Sequence, residues 1–271
     1  MKNAFFNGKI VPFSEARLPL NDIGILRGYG VCDVARTRNR KPFLIERHLA
    51  RFRQSAERFR ILIPYSDQEL SAAITLLIGD VQEEASIKMI ATGGPSLDGT
   101  TFNPHTPTVY ILVSHFTPLP DLLFTDGVKL ITHQYQRPFS EVKSLNYQTM
   151  VEAQPMRDAA GAFEILYVEN KLVKEAATSN IFSVKGGVIS TPNSGILPGI
   201  TRSIVLDLAR QQYEVEERPV TINQLLDADE VFLTATNKDV LPVKQIDSRV
   251  YGVGPCTQHI LKIFRTNYSE Y

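Results

Sequence analysis

The sequence predicts a mixed α+β or α/β chain in two parts, a small N-terminal α/β domain and a larger, β-rich C-terminal domain with helices around it. Three observations carry this reading. At 271 residues the chain is longer than one hydrophobic core usually organises. Helical periods and strand runs alternate up to residue 114, whereas beyond residue 126 strand runs outnumber helices. Between them H-F-T-P-L-P-D-L-L-F-T-D-G breaks every period with two prolines and turn residues, so a linker is expected at residues 115–125. The expected domains are therefore 1–114 and 126–271. The β-rich part is either a barrel or a sandwich.

Along the N-terminal part, Asn7-Gly8 between Phe5-Phe6 and Ile10-Val11 predicts a hairpin. Residues 23–34 run through R-G-Y-G-V-C-D-V into a strand. Leu49, Phe52, Ala56, Phe59 and Ile63 recur at three- and four-residue steps and predict a helix over 47–63. Ser66 with Glu69 forms a capping box ahead of Leu70, Ala73, Ile74 and Leu77. Residues 86–91 and 108–114 read as strands. In the C-terminal part a strand is expected at 128–133. A helix at 147–160 is interrupted by Pro155. Strand pairs flank Asn170 and Gly186-Gly187. A helix follows at 201–212 and a strand at 214–220. Thr221 with Gln224 caps a short helix, strands lie at 229–236 and 240–246, and a last helix covers 256–264.

Lys+Arg and Asp+Glu both number 29, so no net field draws the chain to nucleic acid or an anionic membrane. Cys32 and Cys256 offer no disulfide framework, and the five histidines show no metal-ligand spacing, so no metal is expected. The start M-K-N-A-F-F-N-G lacks the apolar run of a signal peptide, and no run is long enough for a membrane span. A cytoplasmic protein is expected.

Chemistry concentrates between residues 141 and 209. Lys143, in E-V-K-S-L-N-Y, is either a solvated lysine or an amine whose pKa is lowered by apolar walls from Leu145 and Tyr147. Glu175, in V-K-E-A-A-T-S-N-I-F, is either a surface acid or the carboxylate that keeps a pyridine nitrogen protonated. Gly199-Ile200-Thr201-Arg202 opens a helix, with Thr201 either a plain N-cap or part of an anion site. Amine, acid and anion cup are the groups that hold an aromatic aldehyde phosphate, and the ligand expected on those grounds is pyridoxal 5′-phosphate (PLP).

Taken in order, the Asn-Gly hairpin, R-G-Y-G-V-C-D-V, H-L-A-R-F-R-Q-S-A, V-K-S-L-N-Y, E-A-A-T-S-N-I-F, I-L-P-G-I-T-R and A-D-E-V-F-L-T-A-T-N-K-D-V-L-P-V resemble the fold-type IV, or class IV, PLP-dependent aminotransferases over nearly the whole chain. The resemblance implies a barrel-like C-terminal domain, the cofactor in the interdomain cleft, and a homodimer. It implies that Lys143 carries the cofactor covalently and shuttles the substrate proton, and that Glu175 faces the ring nitrogen. Arg51, Ile200, Thr201 and Thr236 would take the phosphate, with Ser179 and Asn180 lining the other edge. Arg27, Tyr29, Lys88, Tyr147 and Ala235 would meet the substrate. The R-G-Y-G start is similar to one D-amino acid aminotransferase subgroup, in which an arginine at the position of Arg27 binds the α-carboxylate. Two departures bear on the substrate. Cys32 stands where other D-amino acid enzymes have an aromatic hydroxyl, and Lys88 stands near a position where the subgroup has arginine, losing the bidentate fork. The expected activity is transamination between a D-amino acid and a 2-oxo acid. The alternatives are an L-branched-chain substrate, aminodeoxychorismate lyase chemistry, or a non-catalytic relative of the fold.

Overall fold

The computed structural model describes residues 1–268 and divides into two compact units. One comprises Met1–Thr117 together with Val142–Asn146; the other comprises Pro118–Glu141 and the chain from Tyr147 onward.

The N-terminal unit begins with β1 (Asn3–Phe6) and β2 (Lys9–Pro12), joined through Asn7 and Gly8, which both take positive φ as a tight hairpin requires. A short helix α1 (Ile23–Arg27), absent from the sequence reading, is capped by buried Asp22, which accepts from the Gly24 N–H. Then come β3 (Gly30–Arg38), β4 (Lys41–Pro42), α2 (Ile45–Arg58), α3 (Asp67–Ile78), β5 (Ala85–Thr92) and β6 (Thr108–His115). Helix α2 stops at Arg58 rather than residue 63, because Arg60 turns left-handed and the Ile61 N–H folds back onto Ala56. Both hydrogen bonds of the Ser66/Glu69 capping box form.

The strands make a six-stranded antiparallel sheet in the order β2-β1-β6-β5-β3-β4. One face buries Val31, Ala35, Ile87, Met89, Val109 and Ile111 in a core with Leu49, Phe52, Leu70, Ile74 and Leu77 of α2 and α3. Each such side chain contributes about 1.5–3 kcal/mol. By strand alternation the opposite face carries Cys32, Val34, Lys88, Ile90, Tyr110 and Leu112.

Residues 142–146 extend this sheet at the free edge of β3, whereas the sequence reading put them in the C-terminal domain. The Cys32 N–H donates to the Lys143 carbonyl at 2.8 Å and the Leu145 N–H to Gly30 at 3.0 Å. A Cβ on Gly30 would lie 2.7 Å from Leu145 and 2.9 Å from the Ala91 carbonyl, so only glycine lets both neighbours close in.

The C-terminal unit comprises α4 (Leu122–Asp126), β7 (Val128–Gln134), α5 (Gln148–Glu152), α6 (Gln154–Ala159), β8 (Glu164–Glu169), β9 (Leu172–Ala176), β10 (Asn180–Lys185), β11 (Val188–Thr191), α7 (Ile200–Ala209), β12 (Val215–Glu217), α8 (Ile222–Leu226), β13 (Glu230–Ala235), β14 (Asp239–Ile246), β15 (Arg249–Val250) and α9 (Pro255–Asn267). Helix α4 occupies part of the stretch read as linker. Pro155 starts the second of two short helices. Nine strands form one sheet in the order β12-β11-β10-β13-β14-β7-β8-β9, with β15 added to β14. Strand β14 pairs β7 in parallel, as β7 does β8. Because β9 meets β10 at an Ala176–Ser179 bridge, the sheet curls into a half-barrel. Phe182 and Phe232 stack inside it at 4.9 Å. This is the fold-type IV architecture, and it resolves the barrel-or-sandwich alternative towards the barrel-like form. Among the described residues no helix is long and apolar enough to cross a membrane.

Candidate active site

In the N-terminal unit, Lys143 is half-buried beside β3, its N–H donating to the Ser55 hydroxyl of α2 at 3.2 Å. Four residues before Ser55 on the same helix stands Arg51, whose Nε and Nη2 grip both carboxylate oxygens of Asp33 at 2.8 and 2.9 Å. His48, one turn earlier, contacts Asp33 Oδ1 through Nδ1 at 2.7 Å. Asp33 is fully buried. Burial opposes its charge, but Arg51 beside it and the hydrogen bonds from His48 and Arg51 hold the carboxyl well below the usual range. Burial pushes His48 down, outweighing the Asp33 hydrogen bond and charge, so the ring is neutral and its Nδ1–H donates. Asp33 thereby fixes Arg51 as a bidentate, planar cation. Sequence reading missed Asp33 and His48. The signal for them was H-x-x-R on one helix face opposite a strand acid.

Cys32 is buried, with Sγ 3.9 Å from the Ser144 carbonyl; burial pushes its thiol up, with Lys143 acting the other way. Lys88 lies exposed on the same sheet face. Arg27 ends α1, exposed, with Nη1 donating to the carbonyl of Leu26 at 2.8 Å. Tyr29 differs from its expected substrate role in placement. Its ring stacks on Phe59 at 5.0 Å, its hydroxyl donates to the Phe59 carbonyl at 2.7 Å, and it packs against the core.

In the C-terminal unit, Glu175 is buried near the end of β9, not on a surface. Arg137, which sequence reading did not single out, donates to Oε1 from Nε at 3.2 Å and Nη2 at 2.8 Å, and Nη2 also reaches the Ser140 carbonyl. The Leu197 N–H donates to Oε2 at 2.8 Å, and Asn180 Nδ2 sits 3.5 Å from the same oxygen while donating to the Leu197 carbonyl at 2.9 Å. So Asn180, Glu175 and the approach to α7 are one hydrogen-bonded group.

Ser179, in the turn from β9 to β10, donates to Glu164 at 2.9 Å. Helix α7 starts differently from expectation. Its N-cap is Gly199, without any side-chain cap bond, and Thr201 lies buried in the first turn rather than capping it. A Cβ on Gly199 would stand 2.0 Å from Asn180 Oδ1, so the helix start and Asn180 approach each other only because that residue is glycine. Ala235 closes β13, Thr236 follows it in the turn to β14, and half-buried Tyr147 precedes α5. No group of three potential metal ligands occurs among the described residues.

Residues 30–246 match the family described as amino-transferase class IV. The chain belongs to the class IV aminotransferases. A Methanocaldococcus jannaschii protein provisionally named as a branched-chain-amino-acid aminotransferase is 34% identical over 96% of this chain and 94% of its own length. A D-alanine aminotransferase of Bacillus licheniformis is 32% identical over 94% and 93%. Among solved structures, the branched-chain amino acid aminotransferase printed as from Eschelichia coli superposes with a TM-score of 0.92 at 26% identity, covering 99% of this chain and 95% of that one. A branched-chain enzyme from the organism abbreviated T.th., with pyridoxamine 5′-phosphate, gives 0.88 at 29% identity, covering 97% and 92%. A Legionella pneumophila protein provisionally described as 4-amino-4-deoxychorismate lyase gives 0.85 at 25%, covering 93% and 95%.

The cofactor of this class is PLP, and the residues present suit it. A buried carboxylate ringed by an arginine and N–H donors is the negative partner a protonated ring nitrogen needs. The first-turn N–H groups of α7 have no side-chain cap competing with an anion.

Proposed function

We propose that this aminotransferase exchanges an amino group between a D-amino acid and a 2-oxo acid. The observation that carries the stereochemical part is Arg27. Gly28 at φ 65° turns the chain from α1 into β3 and leaves the guanidinium exposed, donating to the neighbouring carbonyl of Leu26. A cation so placed is available to an α-carboxylate. Lys88 adds a second, point-like charge on the Cys32 face.

When bound, PLP supplies the electron sink that stabilises charge at the substrate Cα. The chain's own residues do the rest. The Lys143 amine holds the cofactor and moves the proton at the substrate Cα. Glu175, clamped by Arg137, faces the ring nitrogen. Arg51, oriented by Asp33, takes the phosphate with the N–H groups of Ile200 and Thr201 and with Thr236. Ser179 and Asn180 line the ring, and Tyr147 and Ala235 adjoin the substrate. Tyr29 packs Phe59 and Phe102 instead. A homodimer is part of the proposal, and light scattering at twice 30.4 kDa would agree with it.

The second reading is an L-branched-chain substrate, favoured by Asn146-Tyr147 after the lysine and by the branched-chain relatives. Single-turnover half-reactions with D-alanine, D-glutamate, L-leucine and aminodeoxychorismate test both. Faster conversion of a D-amino acid supports the proposal. Faster conversion of L-leucine, or elimination from aminodeoxychorismate, overturns it.

A further inference from the structure

The geometry points to a buried clamp, Glu164 and Lys238 closed over the Thr178–Ser179 turn, that positions two hairpin tips of the C-terminal unit. One tip, from β9 to β10, carries Glu175, Ser179 and Asn180; the other, from β13 to β14, carries Ala235 and Thr236. The functional part of this inference rests on the cofactor roles proposed above.

Lys238 and Glu164 are 6% and 4% exposed. Lys238 Nζ donates to Glu164 Oε2 at 2.8 Å, to Thr178 Oγ1 at 2.5 Å and to Ser179 Oγ at 2.7 Å, which uses all three of its protons. Glu164 in turn accepts from the Thr178 N–H, from the Thr178 hydroxyl at 2.8 Å and from the Ser179 hydroxyl at 2.9 Å. Each hydroxyl thus accepts from the ammonium and donates to the carboxylate, so the cluster is a closed set. The ammonium also lies 5.7 Å from the centre of the Phe163 ring.

Stability alone does not account for such a pair. Taking two charges out of water costs several kcal/mol each, and apolar replacements of similar volume are often no less stable. What the pair does provide is location. Lys238 sits at the tip of one hairpin, two residues after Thr236, and its contacts lie 59 to 74 residues away in sequence. Ser179 is followed directly by Asn180, which donates towards Glu175 and to the Leu197 carbonyl and abuts Gly199 at the head of α7. A shift of the Thr178–Ser179 turn therefore moves Asn180, and through it the surroundings of Glu175 and the start of α7. Lys238 and Glu164 are positioning residues in this account, not groups that touch the cofactor.

The test compares wild type, Lys238→Met, the double variant Glu164→Gln with Lys238→Met, and Thr178→Val, which keeps side-chain shape and removes only the shared hydroxyl. Three readouts are taken: melting temperature, amide hydrogen exchange of residues 176–181 in the cofactor-free protein, and the dissociation constant for PLP. Lys238→Met alone leaves Glu164 buried without its cation and melts earlier. The double variant recovers melting, yet its exchange over 176–181 is faster by about tenfold and PLP binds about tenfold more weakly, since position is lost while charge is balanced. Thr178→Val melts like wild type and shows the same changes, about threefold each. Wild-type exchange and wild-type PLP affinity in both Thr178→Val and the double variant would overturn the clamp. Should either variant fail to fold, the other decides. If the wild-type protein binds no PLP, the cofactor reading fails by itself, and the exchange measurement still decides whether the clamp positions the turn.

Discussion

Glu175 and Arg27 are both assigned to the ligands of one reaction, yet the fold treats them oppositely. Around Glu175, donors from Arg137, Leu197 and Asn180 come from three separate segments, and the side chain has no room to move. Arg27 stands exposed at the end of a five-residue helix, with its direct hydrogen bond going to an adjacent carbonyl. The contrast assigns different work to the two regions. Groups that serve every turnover of the class are over-determined by buried networks. Groups that choose among amino acids sit on short elements whose change costs the fold little.

The largest effect expected on the over-determined side is at Lys143. Lys143→Ala should lower transamination by about 10²–10⁴ at unchanged fold, read by half-reaction rates, since it removes the base at the substrate Cα. Next comes Glu175→Gln, which leaves buried Arg137 facing a neutral amide. Breaking a buried pair from one side costs about 3–5 kcal/mol, so chemical denaturation of the cofactor-free protein should show a loss of that order. If the loss were instead a few tenths of a kcal/mol, Glu175 would belong with the loosely held group, and the contrast would dissolve.

On the loosely held side, Arg27→Ala should raise KM for the preferred amino acid about tenfold with melting temperature and PLP affinity unchanged. An unchanged KM would remove Arg27 from the site. The smallest effect concerns His48, whose folded pKa lies below its ordinary value. The unfolded chain therefore binds the proton first, and stability contributed by the neutral ring is full above pH about 6.5 and is lost as pH falls from there, by at most about 1.4 kcal/mol per pH unit. A His48→Asn variant keeps a donor for Asp33 and should lose that slope in melting curves taken from pH 7 to pH 5.

What could be read from the sequence follows the same division between local and distant causes. The Asn7-Gly8 hairpin, both capping boxes and the Gly186-Gly187 turn were legible because the residues that form them lie within a few positions of one another. Lys143, Glu175 and the α7 start became candidates through motif order. Their supporting partners did not. Arg137 meets Glu175 across 38 residues and Lys238 meets Glu164 across 74, pairings that exist only once the half-barrel has its register. The edge position of 142–146 on β3 was hidden for the same reason, since Gly30 reads as a turn residue until Leu145 is seen against it. Thr201 was misplaced by one local rule overriding another. A threonine near a helix start suggests a cap, but Gly199 already holds the extended backbone that a cap needs.

The central claim is that one amine, Lys143, holds the cofactor. Its most direct measurement is borohydride reduction of the purified holoenzyme followed by peptide mass spectrometry. The account predicts a pyridoxyl phosphate adduct on the peptide containing Ser140–Tyr147, at Lys143 and at no other lysine. An adduct at a different lysine, or a yellow protein that carries none after reduction, would contradict it.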